Sequence, residues 1–484
     1  MRKLALIYIM SVVIFALGVG GVLYFGKDLS VHSTESVAMS TAPAKAPSVA
    51  TNAHGSGRSL WSAFEQNLKD PLAHLLLQFI VILLATRALG SLFARFGQPS
   101  VIGEITAGIL LGPSLFGWLW PDASAFVFAP DTLGILALFS QIGVCLLMFA
   151  VGLELDVVHL RQKAQTALVV SHTSIVVPFL LGVASALLLF PWFGIPGSSF
   201  IAFALFMGIA MSITAFPVLA RILMDRGIIK TPLGATAIAC AAVGDATAWA
   251  ILAIVVAFVR ATGLASTFIG LGLVILFVAF MVWGVRPLLA YSFDTEEPHA
   301  ATPRGVMISV LIFMTAAALT TQVIGIHALF GAFLAGAIMP QNAAFRENLT
   351  VRLQNFSSVF LLPLFFAFSG LRTQVGSLND GTSWLICAGI IAVATAGKLG
   401  GSMLPARLMG MSWNDSFSLG ALMNTRGLVE LIALNIGYDL GILSPRIFSM
   451  LVLMALVTTF MTGPLLNFAE RVRKGRNPPL AASA

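Results

Sequence analysis

Charge is what this 484-residue chain has least of. Only 10% of its residues are Asp, Glu, Lys or Arg, 58% are hydrophobic, and the mean hydropathy is +0.95. A soluble domain carries about 25% charged residues. The shortage excludes an ordinary soluble protein and points to a polytopic membrane protein that is nearly all membrane domain. Cysteine is almost as scarce. Cys145, Cys240 and Cys387 all fall inside apolar runs, so they form no disulfide framework and no metal-binding spacing. No phosphate-binding glycine loop, dinucleotide motif or zinc motif stands in a credible context. No cofactor and no nucleotide is therefore expected. No nucleophile–base set speaks for an enzyme, and any transport must run on ion gradients. The net charge of +7 belongs on the cytoplasmic side of a membrane protein rather than marking nucleic-acid binding.

What is present is a series of apolar runs. Residues 4–25 are a 22-residue run behind Arg2-Lys3, longer than a usual signal-peptide core and with no clean cleavage site beside it. Residues 1–26 thus read as an N-terminal membrane anchor in preference to a signal segment. Residues 27–69, rich in Ser, Ala, Thr and Gly, read as a flexible extracytoplasmic linker. Residues 70–470 read as the membrane domain and 471–484 as a short cytoplasmic tail. Hydropathy predicts spans near 73–95, 101–118, 132–152, 165–190, 199–224, 233–260, 266–290, 304–323, 325–340, 355–371, 383–408, 414–437 and 445–468.

The loops support that series of thirteen. Lys and Arg gather on alternate loops, from Arg95 through Arg161, Lys163 and Arg226 to the Arg471–Arg476 cluster, while the opposite loops hold few. The alternation puts the C-terminus in the cytoplasm of a multi-pass protein in the cell membrane. The fold class is all-α, with about 13 transmembrane helices plus the N-terminal segment. The thirteen divide as six, one and six, which inverts the second set relative to the first, as in secondary transporters. AGILLGP (107–113) and AGAIMP (335–340) fall at matching places in the two sets.

One acid stands in the middle of this grease. Asp245 lies in TAIACAAVGDATAWAILAIVVAF with about a dozen uncharged residues on either side. A carboxylate at that depth costs about 2.5–3.5 kcal/mol on insertion scales. The functional reading is an acid that binds a cation or passes a proton; the bland one is an acid paired to a neighbouring helix. Both fifth helices carry breakers. In MSITAFPVLARIL (211–223), Pro217 removes a backbone donor, and Ser212 and Thr214 can serve freed backbone groups or line a path. In LMNTRGLVELI (422–432), Asn424 and Thr425 precede Arg426 and Gly427. Arg426 and Glu430 share a helix face. They are either a self-neutralising pair that fixes the break, or Arg426 complements the carbonyl end of a half-helix. Lys398 is a third buried charge, on a helix expected to neighbour that of Asp245, and is a candidate partner for it. Glu104 is either an acid near the headgroups or part of an access funnel. Glu154 and Asp156 read as structural, and His172 and His327 as satisfied core histidines.

Taken together, PSVIGEITAGILLGPSLFG (99–117), GLELD (152–156), SITAFPVLARIL (212–223), AVGDATAW around Asp245, Lys398 and MNTRGLVELIALNIG (423–437) resemble the monovalent cation:proton antiporters of the Kef-type and plant CHX-type superfamily. The resemblance covers about 70–468. It implies a dimerisation domain and a moving core, a crossing of the two broken helices, a homodimer, and exchange of K⁺ or Na⁺ for H⁺ at Asp245. Two departures matter. Electrogenic relatives carry two adjacent acids where this chain has Gly244 and Asp245, so one proton should exchange for one cation, electroneutrally. The large cytoplasmic regulatory domain common in the superfamily does not follow Arg476, so no nucleotide or glutathione gating is expected. On this reading Asp245 holds a cation or a proton, never both, and Thr214, Asn424, Thr425 and freed carbonyls complete the cation's oxygen shell. The rival functions are a sodium-coupled symporter of a small organic solute, a cation channel and a non-transporting membrane sensor with the same fold.

Overall fold

The computed structural model describes residues 15–31, 70–154, 164–260, 264–293, 304–340 and 342–476. Most of the expected linker, the side chain of Glu154, Asp156 and the end of the expected tail lie outside the described residues. Those residues form helices and no strand. In chain order they are α1 (Phe15–Gly26), α2 (Pro71–Arg95), α3 (Ser100–Leu111), α4 (Pro130–Glu154), α5 (Ala164–Phe193), α6 (Phe200–Ser212), α7 (Phe216–Asp225) and α8 (Pro232–Arg260). There follow α9 (Leu264–Ala279), which runs through a π-turn into α10 (Arg286–Phe293), then α11 (Arg304–Ile324), α12 (Ala328–Ala337) and α13 (Ala343–Phe356). The last are α14 (Leu362–Leu371), α15 (Gly381–Leu408), α16 (Trp413–Met423), α17 (Leu428–Asp439) and α18 (Pro445–Arg476). Polar side chains start several of them. Asp70 accepts from the amides of Leu72 and Ala73, Ser199 from Ala202, Asp380 from Ser383 and Ser412 from Asp415.

Among the described residues, eleven helical segments are long and apolar enough to cross a membrane, and α16–α17, bent by 42° at its break, makes a twelfth. The span expected at 325–340 is different. It contains only the ten-residue α12, about 15 Å long at 1.5 Å per residue and half the hydrocarbon thickness. Gly325, with φ at +100°, turns the chain out of α11, and Pro340 closes the segment behind it. The open carbonyls at its end are taken by Arg346, whose guanidinium donates to Met339 O (2.6 Å), Pro340 O (2.8 Å) and, across the fold, Leu153 O (2.7 Å). Arg346 is therefore buried.

Packing follows a pseudo-twofold scheme. In each set of six the first two helices pair, α2 with α3 and α11 with α12, and the fourth packs on the fifth, α5 on α6 and α15 on α16. Across the sets the second helix of each packs on the third of the other, α3 on α14 and α12 on α4, while the fourth helices, α5 and α15, pack on each other. The repeated Ala-Gly explains the second of these contacts. A Cβ on Gly108 would lie 2.6 Å from Ala367 Cα, and one on Gly336 would run into the Phe149 carbonyl. Gly370 and Gly152 answer from the opposite helices, each against the other repeat's backbone. Small residues let membrane helices approach to backbone contact where the hydrophobic effect supplies no drive. Gly336→Val is expected to cost about 3 kcal/mol, at the upper end for overpacking. The thermal midpoint in detergent should fall clearly below that of Gly305→Ala, whose new methyl meets nothing within 4 Å.

Candidate functional site

The site is a crossing of two interrupted helices. α6 is buried over nearly its whole length and ends at Ser212, because Ile213 and Ala215 are extended (ψ 139° and 96°). Pro217 does not sit in the break. It stands in the first turn of α7, where the missing N–H costs nothing. The other break runs from Asn424 to Gly427, whose φ of +156° is open to glycine and strained for any residue with a Cβ. The two breaks satisfy each other. Ala215 N donates to Thr425 O (2.9 Å), and the Thr214 hydroxyl donates to Met423 O (2.9 Å).

Arg426 locks the crossing, and both roles considered for it are present in one geometry. Its guanidinium donates to Ala210 O (2.6 Å) and Met211 O (2.7 Å), the carbonyl end of α6. It also lies 3.4 Å from Glu430, with both side chains fully buried. The backbone of Arg426 is held from a third side. Thr459 accepts from Arg426 N and donates to Arg426 O, each at 2.8 Å. Thr462 meets Thr425 hydroxyl to hydroxyl (3.4 Å), and the Asn424 amide reaches Thr458 O (3.5 Å). These threonines were not singled out in the sequence. Their signal is there in VTTFMTG (457–463), three hydroxyls within two turns of an apolar helix.

Lys398 departs from its expected place. It is not paired with Asp245. Its ammonium donates to Thr214 Oγ1 (2.7 Å) and Ser174 O (3.0 Å), so Lys398, Thr214 and Met423 O form one hydrogen-bonded chain. The expected neighbourhood is also different, because α5 packs against both α15 and α8 and intervenes between them. Ser212 stays within its own helix, donating to Ile209 O (3.0 Å). Glu104 is half-buried against Gly90 of α2, while Val101, one turn earlier, reaches the second break beside Gly427. His172 hydrogen-bonds the Leu168 carbonyl at 2.7 Å. His327 opens α12 with Nδ1 unpartnered, in a separate cavity that it shares with the Arg372–Asp439 ion pair (2.7 Å).

Asp245 stands on α8, which packs on α5, α6 and α16 and so touches both interrupted elements. Its side chain is 2% exposed and its Oδ1 has no hydrogen-bond partner. One turn on, Trp249 is fixed by rings, edge-on to Phe330 (5.6 Å) and stacked on Phe333 (6.1 Å), and its Nε1 is also unpartnered. Other buried oxygens on or beside these elements also lack a hydrogen-bond partner, among them Asn424 Oδ1, Ser416 Oγ, both carboxylate oxygens of Glu430, and Ser171 Oγ. Gly244 turns its missing side chain toward Ser171, whose Oγ lies 3.1 Å from where a Cβ would be. Among the described residues no cluster of His, Cys, Asp and Glu could hold a resident metal ion. What the site offers is one carboxylate and neutral oxygens, the ligand type of hard cations.

Comparison with known proteins agrees with this geometry. The family model for the transmembrane part of sodium/hydrogen exchangers matches residues 79–469. The chain is 45% identical to Na(+)/H(+) antiporter NhaS4 of Synechocystis over 397 residues, 82% of this chain and 97% of that protein. It is 40% identical to Cation/H(+) antiporter 17 of Arabidopsis thaliana and 32% identical to K(+)/H(+) antiporter 1 of Saccharomyces cerevisiae, over 83% and 86% of this chain. It spans about half the length of those two, 49% of each. Among solved structures, the sodium proton antiporter MjNhaP1 of Methanocaldococcus jannaschii at pH 8 matches with a TM-score of 0.59 at 14% identity, covering 82% of this chain and 97% of that one, a likeness of fold. The resemblance carried by the motifs thus holds, and the chain belongs to the sodium/hydrogen exchanger family of membrane transporters.

Proposed function

We propose that the chain is a secondary antiporter that exchanges a monovalent cation, Na⁺ or K⁺, for H⁺ by competition at Asp245. The observation that carries the reading is a buried carboxylate with a free oxygen, on the helix packed against both interrupted elements. The relatives named as Na⁺/H⁺ and K⁺/H⁺ antiporters support the same exchange. Asn424 Oδ1 and the hydroxyl of Thr425 supply neutral oxygens from the second break. Thr214 is already engaged with Lys398 and Met423 O, so it acts mainly by holding the first break in register. Arg426 with Glu430, Lys398, Pro217 and Gly427 form the frame. With Gly244 beside it, one carboxylate trades one cation for one proton, and the cycle is electroneutral. The core of α5–α8 and α15–α18 would move past the remaining helices only when Asp245 is neutralised by either ligand. The Lys/Arg alternation supports a cytoplasmic C-terminus in the cell membrane, and the family resemblance supports a homodimer.

The test is proton flux in proteoliposomes under an imposed pH gradient, with Na⁺, K⁺, Li⁺ and Rb⁺ added in turn. Cation-triggered dissipation is expected, and the ranking names the substrate. Dissipation should persist when an ionophore clamps the voltage at zero, and a rate that follows the voltage would refute electroneutrality. Protons and cations compete, so the half-saturating cation concentration should rise as pH falls. A symporter would respond only when its solute is supplied, and a sensor to none of the cations.

A further inference from the structure

We infer that Ser171 is a further oxygen ligand of the cation at Asp245, standing where a second acidic side chain would come if residue 244 carried one. The inference rests on the exchange at Asp245 proposed above. It begins with a contrast inside α5. Serine and threonine in a helix ordinarily satisfy their hydroxyls on a carbonyl three or four residues back. Thr173 does so on Val169 O (2.7 Å), Ser174 on Ser171 O (2.9 Å) and Ser185 on Leu181 O (2.7 Å). Ser171 does not. Its hydroxyl is fully buried and without a partner.

The direction of that hydroxyl is given by Gly244. Its Oγ lies 3.1 Å from the place of a Cβ on residue 244, so it fills the gap between α5 and α8 that glycine leaves. Asp245, the next residue on α8, also carries a partnerless buried oxygen, and so does Asn424 at the end of α16, which packs on α8. Three partnerless buried oxygens thus stand on three elements joined through α8, and together they offer a cation a set of oxygen ligands. A carboxylate, an amide oxygen and a hydroxyl are the hard ligands an alkali cation takes. A hydroxyl in place of a second carboxylate adds a ligand without adding charge, which keeps the site at a single formal negative charge. Gly244 and Ser171 are then one device: glycine admits the hydroxyl, and the hydroxyl replaces the acid.

The experiment measures cation-triggered proton flux against cation concentration for the parent, Ser171→Ala, Gly244→Ala and Asp245→Asn in proteoliposomes. Removing the hydroxyl should raise the half-saturating cation concentration by roughly tenfold, the low end for losing a supporting ligand, and lower the maximal rate much less. Gly244→Ala should move it the same way, because its methyl crowds the hydroxyl from the opposite helix. Cation-dependent protection against heat should shrink in both. An unchanged half-saturation in both variants, with Asp245→Asn inactive, would overturn the role of Ser171 and leave Asp245 in place. A lower thermal midpoint with unchanged half-saturation would reduce Ser171 to a structural residue and overturn the inference equally. Activity surviving in Asp245→Asn would overturn the exchange reading itself. Should Ser171→Ala fail to fold, Gly244→Ala alone decides.

Discussion

Asp245→Asn should abolish cation-triggered proton flux while leaving the protein folded. The substitution changes one oxygen to an amide nitrogen of nearly the same size, so the packing of α8 against α5, α6 and α16 is undisturbed. What disappears is the negative charge and the exchangeable proton together, and the proposed cycle needs both. The effect on rate should be on the order of a hundredfold or more, since a buried charge left without its partner ion is worth several kcal/mol. Stability should move the other way or not at all. The parent keeps a carboxylate buried with a free oxygen, and an amide is less costly to keep in that place. A variant with an unchanged or raised thermal midpoint and no flux would locate the defect in the site. Asp245→Glu keeps the charge and the proton but adds a methylene, so it should retain part of the flux. Full flux in Asp245→Asn would end the claim that this residue carries the ions.

Arg426→Ala should have the largest effect on stability. It removes two hydrogen bonds to the carbonyl end of α6 and leaves Glu430 alone in a dry interior. Breaking a buried ion pair from one side costs about 3–5 kcal/mol, because the remaining charge is uncompensated. Arg426→Lys should rescue little. A single ammonium cannot span Ala210 O, Met211 O and Glu430 as a planar guanidinium does. The double variant Arg426→Met, Glu430→Met should be more stable than Arg426→Ala, since it leaves no lone charge, yet less stable than the parent, since the α6 carbonyls stay open. Thermal midpoints of the purified variants in one detergent give that order. A double variant no better than Arg426→Ala would mean that the carbonyl cap, and not the ion pair, dominates.

Much of the fold is legible because membrane insertion is a local matter. Hydropathy and the Lys/Arg alternation depend on a stretch and its flanks, and they predict twelve spans that the structure contains. The thirteenth segment is helical over only ten residues, for a reason hydropathy does not register. AGAIMP and its neighbours are as apolar as any span, but Gly325 and Pro340 cut the helix to ten residues, and the cost is met by Arg346 reaching back to Leu153. The breaks were equally visible, in TAFP and NTRG, since proline, glycine and a buried arginine leave plain marks.

Partner choice was not legible. Lys398 and Asp245 are opposite charges in apolar surroundings, and pairing them is the simple expectation. The structure instead spends the lysine on Thr214 and Ser174, because α5 comes between the two helices. Thr459 on Arg426 and Ser171 beside Gly244 were likewise hidden in runs of ordinary residues. By itself the sequence determined that the chain spans the membrane many times, that one acid lies deep in an apolar span, and that two other spans carry helix breakers. Each of these follows from the burial cost of single residues and short stretches. Only the tertiary structure decided which oxygen meets which donor. Those pairs join residues 33 to 224 positions apart, and a difference of a few ångströms in helix placement selects among donors of the same chemistry.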